Sequence, residues 1–190
     1  MAQSGSGVVQ DELVRRHRAS VRAVAGALGL ASLLLLAAAV RWAASGTRTL
    51  DQLLDETLGR ATPERAHDPF VVMALWFGVA FLALGSIYYR RAKFSPVRLQ
   101  AVAGLRGAAG LLETLRKTTV RVALVGAAVA ALGFVSSLLT GLFGDALRAW
   151  LISAVVLAYA YPRRGAWRRV VEAADDLSAA ADPEAKGTYA

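Results

Sequence analysis

Four stretches of this chain are long, apolar and nearly free of charge, and they constrain its fold more than any other feature. Ala23 to Val40 holds no charged residue and is bounded by Arg22 and Arg41. Phe70 to Tyr89 and Val122 to Gly144 are likewise uncharged. A fourth run, Ala146 to Tyr161, is shorter and carries Arg148 one turn from its start, where a long side chain can snorkel to lipid headgroups. A helix needs about 20 predominantly apolar residues to cross the hydrocarbon of a bilayer. Backbone N–H and C=O groups in that medium must pair within the segment, which selects helices. The expectation is an all-α, polytopic membrane protein with four transmembrane helices at about 23–40, 70–89, 122–144 and 146–161, joined by short amphipathic interfacial helices.

Composition narrows the classes of function. The 190 residues are 56% hydrophobic and carry a formal net charge of +8. Such a charge can mark a nucleic-acid partner, but here the arginines flank apolar runs and build no separate basic domain, so nucleic acid is rejected. No cysteine is present, which excludes disulfides, thiolate metal sites and cysteine nucleophiles. The two histidines, His17 and His67, fall on opposite sides of the first span. Lysine occurs only at 93, 117 and 186 against many arginines, and Ala and Gly are abundant, the composition of a GC-rich bacterial genome.

Orientation follows from where Lys and Arg collect. Four precede the first span (Arg15, Arg16, Arg18, Arg22), eight lie between Arg90 and Arg121, and five follow the fourth span. The loop at 41–69 holds four, and Arg148 near the start of the fourth run makes the fifth on that side. Both termini and the 90–121 loop are therefore expected on the cytoplasmic side of a bacterial inner membrane. Trp42 and Trp150 mark the outer interface; Tyr88, Tyr89, Tyr161 and Trp167 mark the inner one. Arg41 and Trp42 interrupt any leader-cleavage site after the first run, so it is read as a retained span.

The connecting segments carry their own signals. In the outer loop 41–69, Thr49 and Gln52 can form a capping box, and Leu50, Leu53, Leu54 and Leu58 share a helical face from which Asp51, Asp55 and Glu56 are excluded. In the cytoplasmic loop 90–121, Ser95-Pro96 starts a helix, and Gly104, Gly107 and Gly110 offer close packing or a kink. No strand precedes these glycines and no Gly-Lys-Ser/Thr follows, so they make no phosphate loop. The basic set Arg90, Arg91, Lys93, Arg98, Arg106, Arg116 and Lys117 is expected to contact anionic lipid at the cytoplasmic face. Residues 165–178 read as a further amphipathic helix, and residues 1–15 and 179–190 as disordered tails.

Two stretches look alike. Ser20-Val21-Arg22 leads into the first span as Thr119-Val120-Arg121 leads into the third. Tyr89-Arg90-Arg91 closes the second as Tyr161-Pro162-Arg163-Arg164 closes the fourth. The expectation is two tandem helical hairpins in the same orientation. In topology alone this resembles the two-hairpin proteolipid subunits of rotary ATPases. Those rotors need a mid-membrane carboxylate, and no Asp or Glu falls within the four runs so bounded, so no membership in that family follows.

The spans offer hydroxyls rather than ionisable chemistry: Ser32, Ser86, Ser136, Ser137, Thr140 and Ser153. No catalytic, cofactor-binding or metal-binding residues emerge. The sequence does carry a helix-packing pattern. Gly126, Ala130, Gly133, Ser137 and Gly141 step along one face of the third span. Ala25 and Gly29 on the first, and Ala74, Gly78 and Gly85 on the second, repeat it. The expected function is that of a non-catalytic accessory, assembly or scaffold component of an inner-membrane complex, with other membrane subunits or further copies as partners. The alternatives are a small oligomeric channel or transporter, and an enzyme acting at the outer interface through Glu64, His67 or Asp68.

Overall fold

The computed structural model describes residues 4–45, 50–58 and 69–181. Their secondary structure is all helical: α1 (Ser4–Ala44), α2 (Leu50–Thr57), α3 (Pro69–Lys93), α4 (Pro96–Thr140), α5 (Phe143–Ala160) and α6 (Arg164–Ala181). Four of these, α1, α3, α4 and α5, are long and apolar enough to cross a membrane, the mark of a multi-pass membrane protein. Their outward surfaces agree. Leu33, Leu36 and Val40 on α1, Phe70, Phe77, Phe81 and Leu84 on α3, and Val155 on α5 are all exposed. A contiguous apolar surface of that extent calls for lipid or a partner rather than water.

α4 is the hub. It packs against α1, α3 and α5, and α5 in turn touches both α1 and α3, whereas among the described residues α1 and α3 share no substantial contact. The four spanning helices thus form a diamond with α4 and α5 on the short diagonal. The two halves of the chain are therefore not equivalent. α4 and α5 make a tight hairpin, while α1 and α3 each dock on α4 and leave no matching hairpin in the first half. The connection lengths explain this: α4 and α5 are joined by Gly141 and Leu142 alone, but α1 and α3 are separated by a long segment that contains α2.

Two glycines shape α4. Gly107 has φ 62 and ψ −173, a conformation open essentially to glycine, and it kinks the helix between its first turns and its spanning part. Gly141 ends α4 in the left-handed region at φ 80, and its N–H donates to the Ser137 carbonyl at 3.1 Å. The third span therefore stops at Thr140 and the fourth starts at Phe143, earlier than the expected 144 and 146. Ser95 stands before Pro96 as expected, but its hydroxyl donates back to the Ala92 carbonyl at 3.3 Å and caps nothing.

A second, smaller core lies beyond the apolar runs. Leu13 of α1, Leu112 and Leu115 of α4 and Trp167 of α6 are buried together, with Phe94 and Leu99 against them. Leu111 is buried beside Val102 and Val170. His17 meets Trp167 edge-on with ring centroids 5.6 Å apart, and its Nε2 lies 2.9 Å from the Pro162 carbonyl oxygen. This corrects two expectations. The helix of α1 begins at Ser4, so most of the 1–15 tail is helical. Residues 108–121 do not lie as a separate interfacial helix but continue the third span into this small bundle. Burial of one apolar face drives both, since a lone amphipathic helix gains little until that face is covered. α6 starts within a residue of expectation and runs to Ala181; residues 182–190 lie outside the described set.

Candidate functional site: a buried polar knot at the α2 end

At the end of the bundle opposite the small core, charged and hydroxyl side chains meet where α2, α4 and α5 converge. The cause is local. A helix start leaves four backbone N–H groups without intrahelical partners. Leu142, in the N-cap position of α5, has no side chain able to cap them. The acceptor comes instead from α2. Oε2 of Glu56 accepts from the N–H of Phe143 at 2.9 Å and of Gly144 at 3.3 Å, 87 and 88 residues along the chain. A carboxylate there also meets the positive end of the α5 dipole. Trp42 of α1 donates its Nε1–H to the other carboxylate oxygen at 3.3 Å, and its ring packs on Phe143 at 5.8 Å.

Asp145 lies one residue further into α5 and is 4% exposed. Its Oδ2 accepts from the Ser136 hydroxyl at 2.8 Å and lies 3.0 Å from the Thr140 hydroxyl, both on the last turns of α4. Thr140 in turn accepts the N–H of Leu142 at 3.2 Å. Arg148, one turn on, pairs with Asp145 at 3.5 Å and donates to the backbone carbonyl of Glu56. Its guanidinium also stands 5.8 Å from the Trp76 ring. Arg41, at the end of α1, donates to the Ser137 carbonyl of α4 at 2.7 Å, where a cation suits the negative helix end. Gly144 lets α2 come this close: a Cβ there would sit 2.6 Å from the backbone C and O of Glu56.

These contacts correct several sequence expectations. Glu56 does not face solvent; it is 3% exposed, while Leu54 and Leu58 of the expected apolar face point outward at 57% and 63%. Orphaned N–H donors attract the carboxylate more than the bundle attracts leucine, and lipid can take the leucines. Asp145 places a carboxylate in the first turn of a spanning helix, although the expected bounds had excluded it. Arg148 does not snorkel alone but binds within the fold. Glu64, His67 and Asp68 of the interfacial-enzyme alternative lie outside the described residues, as does Thr49 of the capping box. The sequence did hold one clue to the knot: Asp145 alone separates two apolar runs, with Arg148 three residues on.

The small-residue positions divide. On α4, Gly126 faces Leu157 of α5, with a Cβ there 2.8 Å from its side chain, and Gly133 faces Ala149, whose Cβ would lie 1.9 Å away. The buried Ser153 hydroxyl donates to the Gly126 carbonyl at 2.7 Å across this contact. Ala130 and Ser137 are buried on the same helix. Gly141 serves the turn rather than a helix contact. On α3 a Cβ at Gly78 would lie 3.4 Å from the Leu132 side chain, while Gly29 and Gly85 have open space around them and Ala25 is exposed.

The basic positions divide as well. Arg116 and Lys117 lie 3.1 Å and 3.4 Å from Glu113, which also takes Arg16 at 3.5 Å. Arg91 and Arg98 are exposed. Arg90 sits 4.7 Å from the Tyr159 ring and 5.3 Å from Phe94, and Lys93 sits 5.8 Å from Tyr89. The Arg106 side chain lies outside the described set. No protein-family model matches the chain, and no similar curated protein or solved structure was found.

Proposed function

We propose that this chain is a structural subunit: an accessory, assembly or scaffold component of a bacterial inner-membrane complex, with both termini cytoplasmic. The observation that carries this reading is the outward placement of Ala25, Gly29 and Gly85 on α1 and α3. Glycine costs a helix about 1 kcal/mol relative to alanine and offers lipid nothing in return. It repays that cost where a second helix comes close. Inside this chain that use is visible at Gly126 and Gly133; at Gly29 and Gly85 it is left for a helix of another subunit.

The polar knot supports the same reading, because the carboxylates and guanidinium groups described there are engaged in holding α2, α4 and α5 together. The α4–α5 contact fills the bundle axis, so a conducting path would belong between copies. Joint packing of Leu13 and Trp167 supports termini on one side, and the concentration of arginine at that end supports the cytoplasmic assignment.

Extraction in a mild detergent followed by intact-mass analysis tests the proposal. A stoichiometric membrane partner is expected, lost on Gly29→Leu or Gly85→Leu; a clean monomer from native membranes overturns it. A reporter fused after Ala190 is expected to read cytoplasmic, and a periplasmic signal would reverse the orientation.

A further inference from the structure

At the end of the bundle away from α2, two groups of cations stand apart from exposed ones such as Arg91 and Arg98. One group is neutralised within the protein: Arg15 and Arg16 pair with Glu12, and Arg16, Arg116 and Lys117 gather on Glu113. The other group stands where α3, α4 and α5 meet. Arg90 is half-buried between the rings of Phe94 and Tyr159. Arg121 of α4 donates to the Tyr89 hydroxyl at 2.9 Å, and Lys93 lies against the Tyr89 ring. Arg163 follows the last residue of α5 by three positions, at the same helix end that carries Tyr159. Among the described residues no ion pair joins any of these four to a carboxylate.

Phenol and phenyl groups orient cations but do not cancel their charge. Cation–π contacts are worth about 0.5–2 kcal/mol and leave the guanidinium N–H donors free at the ring edges. Like charges gathered at one corner repel, and an anion that joins them relieves that repulsion. The position identifies its chemistry. The corner lies where the apolar runs of α3 and α5 end in tyrosine, the depth at which lipid phosphates sit. A planar guanidinium matches a phosphate oxygen pair.

We propose that Arg90, Lys93, Arg121 and Arg163 form a specific site for the phosphate of an anionic phospholipid headgroup, walled by Tyr89, Phe94 and Tyr159. This rests on the membrane-spanning reading and on the anionic-lipid contact expected of this end, and is independent of any partner subunit. It separates that broad basic set into a built site and a general attraction.

The test is lipid binding to the full chain in detergent, read by native mass spectrometry with added phosphatidylglycerol and, in parallel, phosphatidylcholine. Two double variants of equal charge change are compared: Arg90→Gln with Arg121→Gln, and Arg91→Gln with Arg98→Gln. Loss of general attraction weakens binding by about fivefold per charge in either pair. The site predicts a further tenfold or greater loss confined to the first pair, with Arg90→Lys and Arg121→Lys, which keep the charge but lose the planar fork, falling between the natural chain and that pair. Phosphatidylcholine is expected to bind no more tightly to the natural chain than to the variant. Equal losses in the two pairs would overturn the site while leaving the membrane reading intact. Displacement of phosphatidylglycerol by low-millimolar inorganic phosphate would reassign the corner to a soluble anion and overturn the lipid. If the first pair fails to fold, loss of phosphatidylglycerol binding in Arg163→Gln supports the site and its retention counts against it.

Discussion

Replacing Glu56 by alanine removes the acceptor that closes the start of α5. In the natural chain the carboxylate takes the N–H groups of Phe143 and Gly144 and the indole N–H of Trp42, at 2.9, 3.3 and 3.3 Å. A hydrogen bond to a charged group contributes about 1.5–3 kcal/mol. The two longer contacts fall at or below the low end of that range. Removing one partner from a buried charged arrangement costs about 3–5 kcal/mol. Water reaching the freed N–H groups lowers the cost, so about 3 kcal/mol is the expected loss. Because each 1.4 kcal/mol is tenfold, α2 should open about a hundredfold more often.

The chain has no cysteine, so Leu53→Cys on the half-buried side of α2 provides a single label site. Its reaction with a membrane-impermeant maleimide should accelerate by up to that factor when Glu56→Ala is added, with Glu56→Gln falling between. Unchanged labelling in Glu56→Ala, with the thermal unfolding midpoint also unchanged, would refute the assignment of Glu56 as the cap that holds α2.

Three further outcomes are expected. Gly144→Ala should free α2 to a similar degree by steric means, because its methyl meets Glu56 backbone rather than a movable side chain; the same labelling assay reads it. Gly133→Ala should destabilise the α4–α5 contact by about 1–3 kcal/mol through overpacking, read as a lowered midpoint of thermal unfolding in detergent. Trp167→Ala should remove the centre of the small core, a loss of about 3–5 kcal/mol. Limited trypsin digestion should then cut faster at Arg15, Arg16 and Arg18 of α1, while the spanning helices stay intact.

What the sequence determined by itself is what local composition controls. The bilayer criterion asks only whether about 20 consecutive residues avoid charge, and the runs beginning at Ala23, Phe70 and Val122 answer it without knowledge of any neighbour. The Pro96 start and a glycine kink in the 104–110 series were legible for the same reason: each is a backbone property of a few adjacent residues. Which small residues face inward was not legible. Gly29 and Gly133 sit in similar local sequence, yet one has open space at its Cβ position and the other lies against Ala149, and only the docking of whole helices separates them. The placement of α1 and α3 on opposite sides of α4, against the expected matching hairpins, is likewise a choice among packings of equally apolar surfaces. The polar knot is the clearest case. Glu56 fell outside the apolar face expected of its helix, and became the buried cap of α5 because two N–H groups 87 and 88 residues away had no nearer acceptor. Hydrogen-bond demand at a helix start is fixed locally, but the group that meets it is chosen by tertiary proximity.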